Sequence, residues 1–126
     1  MSVLEMYCDF RRRFPEMAQA ADTRHFKIWD RVDDETAYSW IESLAGAVND
    51  QISAAEKDTD LLSVFSFFDE QLQGSDMEVK NCIDVRFVEN LFWEVRPSSA
   101  ANAWDAMPNS MQQRYLKFHG QPPTTK

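Results

Sequence analysis

"FVENLFWEV", residues 87–95, sets six large apolar side chains among two glutamates and one asparagine. Whether this stretch is interior or display decides how the chain folds. On a wheel of about 100° per residue, Val79, Ile83 and Phe87 form one line and Val88 and Val95 another. Val85 and Phe92 form a third line, and Cys82 and Trp93 a fourth. Glu78 and Glu89 alone leave a clean polar sector. A helix apolar nearly all round is buried by several neighbours. The spacing therefore predicts a central core helix over about 76–95, rather than an exposed aromatic docking groove. Arg86, Asn90 and Glu94, four apart, stack on one line of that helix. Buried polar groups need partners, so they read as an internal Arg86–Asn90–Glu94 network or as the polar floor of a cleft.

Working outward, Val3, Met6, Tyr7, Phe10 and Phe14 follow helical spacing, and Pro15 stops that helix at or before Phe14. A short helix over Glu16 to Ala21 leads into "DTRHFKIWDRV", a connection with Phe26, Ile28 and Trp29 tucked inward. Tyr38, Ile41, Ala45, Val48, Ile52 and Ala55 make a sustained seam. Asp33, Asp34 and Glu35 stand where carboxylates cap a helix start, and Gly46 inside the seam suggests close packing. Asp58 or Thr59 caps a helix lined by Leu61, Phe65, Phe68 and Leu72 and stopped at Gly74. "SDME" at 75–78 matches a capping box. "SSAANAWDAM", capped by Ser98 or Ser99, and a last helix from Pro108 to Gly120 complete the series. The expectation is an all-α single domain over 1–120, a helical bundle or superhelix of five to seven helices, with a frayed tail at 121–126.

Composition agrees with that class. In a chain of 126 residues, 44% hydrophobic content with 13% aromatic is globular rather than disordered. Three glycines and five prolines leave little material for the turns of a many-stranded β fold. No apolar run approaches the roughly 18–20 residues of a membrane span. "MSVLEMYCDFRRRF" lacks the apolar core of a secretory signal, so a cytoplasmic protein is expected. Cys8 and Cys82 lack metal-ligand spacing and read as reduced, buried thiols.

The net charge is -8 and concentrated mid-chain: residues 26–60 carry nine acids against three bases, and 61–95 seven against two. Phosphate contacts need lysine and arginine, so direct nucleic-acid binding is not expected. His25 and His119 lie in no nucleophile or zinc motif. "DRVDDE" lacks the alternating oxygens and glycine of a calcium loop. The expectation is no catalytic residues, no metal site, no cofactor and no enzyme activity.

"FVENLFWEV" together with "AWDAMPNSMQQRYLKFHGQP" at 103–122, and "FRRRFPEM" at 10–17, resembles small α-helical immunity proteins of bacterial contact-dependent growth inhibition and related polymorphic toxin systems. The resemblance implies a cognate protein toxin as partner and transfers no individual site residue. Acidity suits an inhibitor of a basic nuclease domain, because opposite fields speed encounter. The acids outside the apolar seams are the candidate toxin-binding residues: Asp30, Asp33, Asp34, Glu35, Glu42, Asp58, Asp60, Asp69 and Glu70. The competing reading is a helical adaptor that binds a cellular protein or its own copy through an apolar groove, with Trp29, Trp40, Phe67 and Trp104 as contacts.

Overall fold

Ser2 starts the first helix with a reciprocal cap. Its hydroxyl accepts from the Glu5 N–H (3.1 Å), and the Glu5 carboxylate accepts from the Ser2 N–H (3.1 Å). Helix α1 (Val3–Arg13) ends with Arg11, Arg12 and Arg13 against the negative pole of its dipole. Phe14 alone separates it from α2 (Pro15–Trp29), which carries Pro15 at its first position. The computed structural model describes residues 2–33, 36–54, 60–74 and 77–123. Within them follow α3 (Ala37–Ser53), α4 (Asp60–Gly74), α5 (Met77–Cys82), α6 (Pro97–Ala106) and α7 (Asn109–His119). This is the all-α bundle that the apolar periodicity predicts.

Three local expectations need correction. Helix α2 runs unbroken through the supposed connection, and Phe26, Ile28 and Trp29 are exposed rather than tucked in. Its buried face is Met17, Ala18, Ala21 and His25. A stripe of two alanines and a histidine gives almost no apolar period to read, yet small residues allow the close contact that α2 makes with α3. Helix α6 begins on Pro97 with Arg96 as cap, not on Ser98 or Ser99. Cys8 is exposed, and only Cys82 is buried.

The start of α3 also differs from expectation. Thr36 precedes its first turn, which contains no acid, and the Asp33 backbone carbonyl accepts the Thr36 N–H (3.1 Å). Ala55, the caps assigned to Asp58 or Thr59, and the Ser75 half of the capping box lie outside the described residues.

One continuous apolar core draws on every helix. Helix α3 touches α1, α2, α6 and the chain that follows α5, so it shares the centre of the bundle with that segment. Aromatic rings link the layers. Phe68 stacks on Phe87 at 4.2 Å, and Phe10 meets Phe67, Phe68 and Trp40 at 5.4, 5.8 and 5.8 Å. Arg11 and the Trp40 indole both donate to Asp22 (2.5 and 2.8 Å), tying α1, α2 and α3 together at one carboxylate.

Candidate functional site: a displayed turn on a broken helix

The helix expected over 76–95 stops being α-helical at Cys82. Residues Ile83–Phe87 widen into a π turn, in which the Val88 N–H reaches the carbonyls of Ile83 and Asp84. Val88–Asn90 then tighten into a 3₁₀ turn, and Leu91 is extended with ψ 144. Phe92 and Glu94 adopt left-handed backbone, with φ of 66 and 58. Such φ values are uncommon for a non-glycine residue, and for a bulky one they signal local strain. Single-turn π bulges and strained φ cluster at functional sites.

Side chains take up several of the backbone groups that the break frees. The Asn90 side chain donates to the Arg86 carbonyl (3.0 Å) and more weakly to Val85 (3.5 Å). Asn49, on α3 and nearly buried, supplies the rest. Its Nδ2 donates to the Asn90 carbonyl (2.9 Å), and its Oδ1 accepts the Phe92 N–H (2.7 Å). The turn is thus clamped from a helix more than 40 residues away in sequence. This replaces the expected Arg86–Asn90–Glu94 network. Arg86 pairs instead with Glu42 (3.3 Å) and lies over the Tyr38 ring at 5.0 Å.

The opening stretch therefore divides between interior and surface. Phe87, Val88, Leu91 and Phe92 are buried, whereas Trp93 is 74% exposed. Two grooves meet at Trp93, and a third adjoins the first at Glu89. One of about 360 Å³ lies between the turn and the end of α7, walled by Phe92, Trp93 and Tyr115, with Glu89, Glu94 and His119 on its lining. The second, about 200 Å³, continues on the other side of Trp93 past Ile28, Asn90, Glu42, Asp50 and Arg24. The third, about 610 Å³, runs between the π turn and α7 past Val85, Glu89, Lys117 and Phe118. The Gln121–Pro123 part of the supposed tail lines the first groove.

Charge around the turn is uneven. Glu42 holds Arg86 and Asp50 holds Arg24 (2.8 Å) in the second groove. A Cβ at Gly46 would collide with the Arg24 guanidinium, so the glycine makes room for that side chain. Glu89 and Glu94 have no basic partner among the described residues. Burial raises the Tyr115 hydroxyl above its usual range. Its ring stacks on His119 at 4.1 Å and meets Phe92 edge-on at 5.5 Å. Carboxylates beside aromatic faces recognise cations.

The candidate acids are spread over several elements. Asp30 is the exposed left-handed cap of α2, and Asp33 follows it, paired with Arg31 (3.4 Å). Glu42 is on α3; Asp69 and Glu70 are on α4, beside Ser110 and Arg13 respectively. Asp34, Glu35 and Asp58 lie outside the described residues, as does the side chain of Asp60. Of these acids, Glu42 alone borders the displayed turn among the described side chains. Among the adaptor contacts, Trp40 and Phe67 are fully buried and unavailable to a partner, Trp104 is partly buried, and Trp29 is exposed.

Sequence reasoning missed Asn49, Trp93 and His25. Nothing near Asn49 announced its role, although an asparagine within an apolar seam is a signal to account for its amide. His25 is fully buried, between Ser43 (3.1 Å) and Thr36 (2.9 Å). The Thr36 hydroxyl donates to the Asp33 carbonyl (3.0 Å), so it accepts from His25 Nε2–H while Nδ1 accepts from Ser43. Among the described residues no group of three or more histidine, cysteine or carboxylate side chains could hold a metal ion, and no helix is long and apolar enough to cross a membrane.

No curated protein and no solved structure matches the chain. One family model does match, over residues 7–120, from the middle of α1 to the glycine that closes α7. The protein belongs to the family described as "Domain of unknown function (DUF7674)".

Proposed function

We propose that the protein is an immunity-type inhibitor, which binds a cognate toxin carrying a basic nuclease domain and blocks its active site or substrate path in the producer's cytoplasm. The observation that carries this reading is the Asn49-clamped turn, which presents Trp93 between two carboxylate-bearing grooves in a chain of net charge -8. A pre-set aromatic anchor surrounded by charge is the usual anatomy of a tight interface. The negative field would steer a basic partner toward it. The resemblance to immunity proteins adds the class of partner. The acids on α2, α3 and α4 contribute to the long-range field, and the turn supplies contact.

The test is co-expression with the product of the neighbouring gene, followed by capture and release in a salt gradient. A basic, toxic partner is expected to bind one-to-one and leave with rising salt, and Trp93→Ala should weaken binding at least about 30-fold, as hot-spot truncations do. Binding indifferent to salt, or to the loss of Trp93, would refute the reading. An adaptor that docks an apolar partner is the second reading, favoured by Val85 and Phe118, exposed on the third groove. It predicts a complex that persists at high salt and dissociates on Phe118→Ala.

A further inference from the structure

The molecule shows more than once how it receives a guanidinium. Arg86 lies over the Tyr38 ring at 5.0 Å while Glu42 takes its charge. Arg11 lies over Tyr7 and Trp40, at 5.3 and 5.7 Å, while Asp22 binds it through two nitrogens at 2.5 and 2.9 Å. In both places an aromatic face and a carboxylate hold one arginine, the pairing that the ring quadrupole and a charge-assisted hydrogen bond favour together.

The same combination of ring and carboxylate recurs in the groove between the turn and α7. Trp93, Tyr115 and Phe92 supply aromatic surface, and Glu89 and Glu94 supply carboxylates. Among the described residues no arginine or lysine lines it: Arg96, the nearest base in sequence, is exposed and outside the groove. Its volume of about 360 Å³ lies at the small end of ligand pockets, suited to one long side chain and its flanking backbone. We infer that this groove is a recognition pocket for a single cationic side chain, an arginine or lysine, of the bound protein partner. The inference rests on the partner-binding reading and names the chemistry that the turn recognises. The left-handed backbone at Glu94 and the Asn49 clamp keep the turn in place before any partner arrives.

The test uses the full chain, isotopically labelled for NMR, titrated at pH 8 and low salt with an uncharged-end Gly-Gly-Arg-Gly-Gly peptide. The matched control carries citrulline, which keeps the shape and removes the charge. Saturable shifts centred on the Trp93 indole, Glu89, Glu94 and Tyr115 are expected with arginine and not with citrulline. The double variant Glu89→Gln, Glu94→Gln, with its helical circular dichroism unchanged, should bind about tenfold or more weakly. Equal response to citrulline, shifts spread over the acidic surface, or undiminished binding by the double variant would overturn the pocket. The two readings fail separately. A captured basic partner whose affinity ignores the double variant removes the pocket and leaves the inhibitor; a peptide that binds as expected, with no basic partner captured, removes the inhibitor and leaves the pocket.

Discussion

Asn49 does with one amide what a helix otherwise does with successive backbone bonds. Leaving a buried Phe92 N–H and Asn90 carbonyl without partners carries a desolvation cost for each. Asn49→Ala should therefore destabilise the protein by about 2–4 kcal/mol, read from urea denaturation. A change below about 0.5 kcal/mol would mean that the clamp is incidental. His25 is the other residue whose role is contextual. Burial lowers its pKa below the ordinary value of about 6.5, although Asp22 and Asp33 pull the other way. The unfolded chain then takes up its proton first as pH falls. His25's contribution to stability is fully present above about pH 6.5 and declines below it, until the folded imidazole also protonates. An NMR titration should show the His25 ring titrating below pH 6.5, and an ordinary or raised midpoint would contradict its buried setting. Neither role was legible from sequence. An asparagine in a seam and a histidine beside "FKIW" acquire meaning only through residues brought up by other helices.

At the scale of elements, α1, α3, α4 and α7 were legible because their buried faces use large side chains at helical spacing, or because proline and glycine mark their ends. Helix α2 was obscured by a buried face of small and polar residues. The break after Cys82 was invisible for a different reason. No glycine or proline lies between Cys82 and Arg96, so local propensity continues the helix. Distant hydrogen bonds from α3 end it. The all-round apolar wheel still carried a trace of this, since one straight helix could not have buried Cys82 while keeping Trp93, on the same line, in water. Strain at the two left-handed positions can be separated by substitution. Glu94 is exposed, so Glu94→Gly should relieve its backbone and stabilise by up to about 1 kcal/mol, after the entropy that glycine adds to the unfolded chain. Phe92→Gly gains the same relief and loses a buried ring packed on Tyr115 and Trp104; a net loss of about 2–3 kcal/mol is expected. Thermal melts of the pair should move in opposite directions.

Over the whole molecule, among the described residues, seven arginines pair with acids of the same chain. Most arginine charge is thus consumed locally, and the surface keeps an excess of carboxylate. The sign of that surface was readable from composition, but the place where it meets an anchor was not, because Trp93 belonged to an apolar run that looked wholly internal. The two cysteines offer a measure of overall integrity. Cys8 is exposed, whereas burial pushes the Cys82 thiol up to about 12, leaving almost no thiolate at pH 8. Iodoacetamide should label one site in the native protein, with Cys82 reacting only as the molecule unfolds; rapid double labelling would disprove that packing. The clamp from α3 finally bears on the thermodynamics of association. Conformational freedom at residues 91–94 is surrendered during folding, not on contact, so a partner would encounter a surface whose ordering entropy is already spent. Such a surface favours near-rigid docking, with little structural rearrangement to slow it, and places the burden of the strained turn on the stability of the unbound protein.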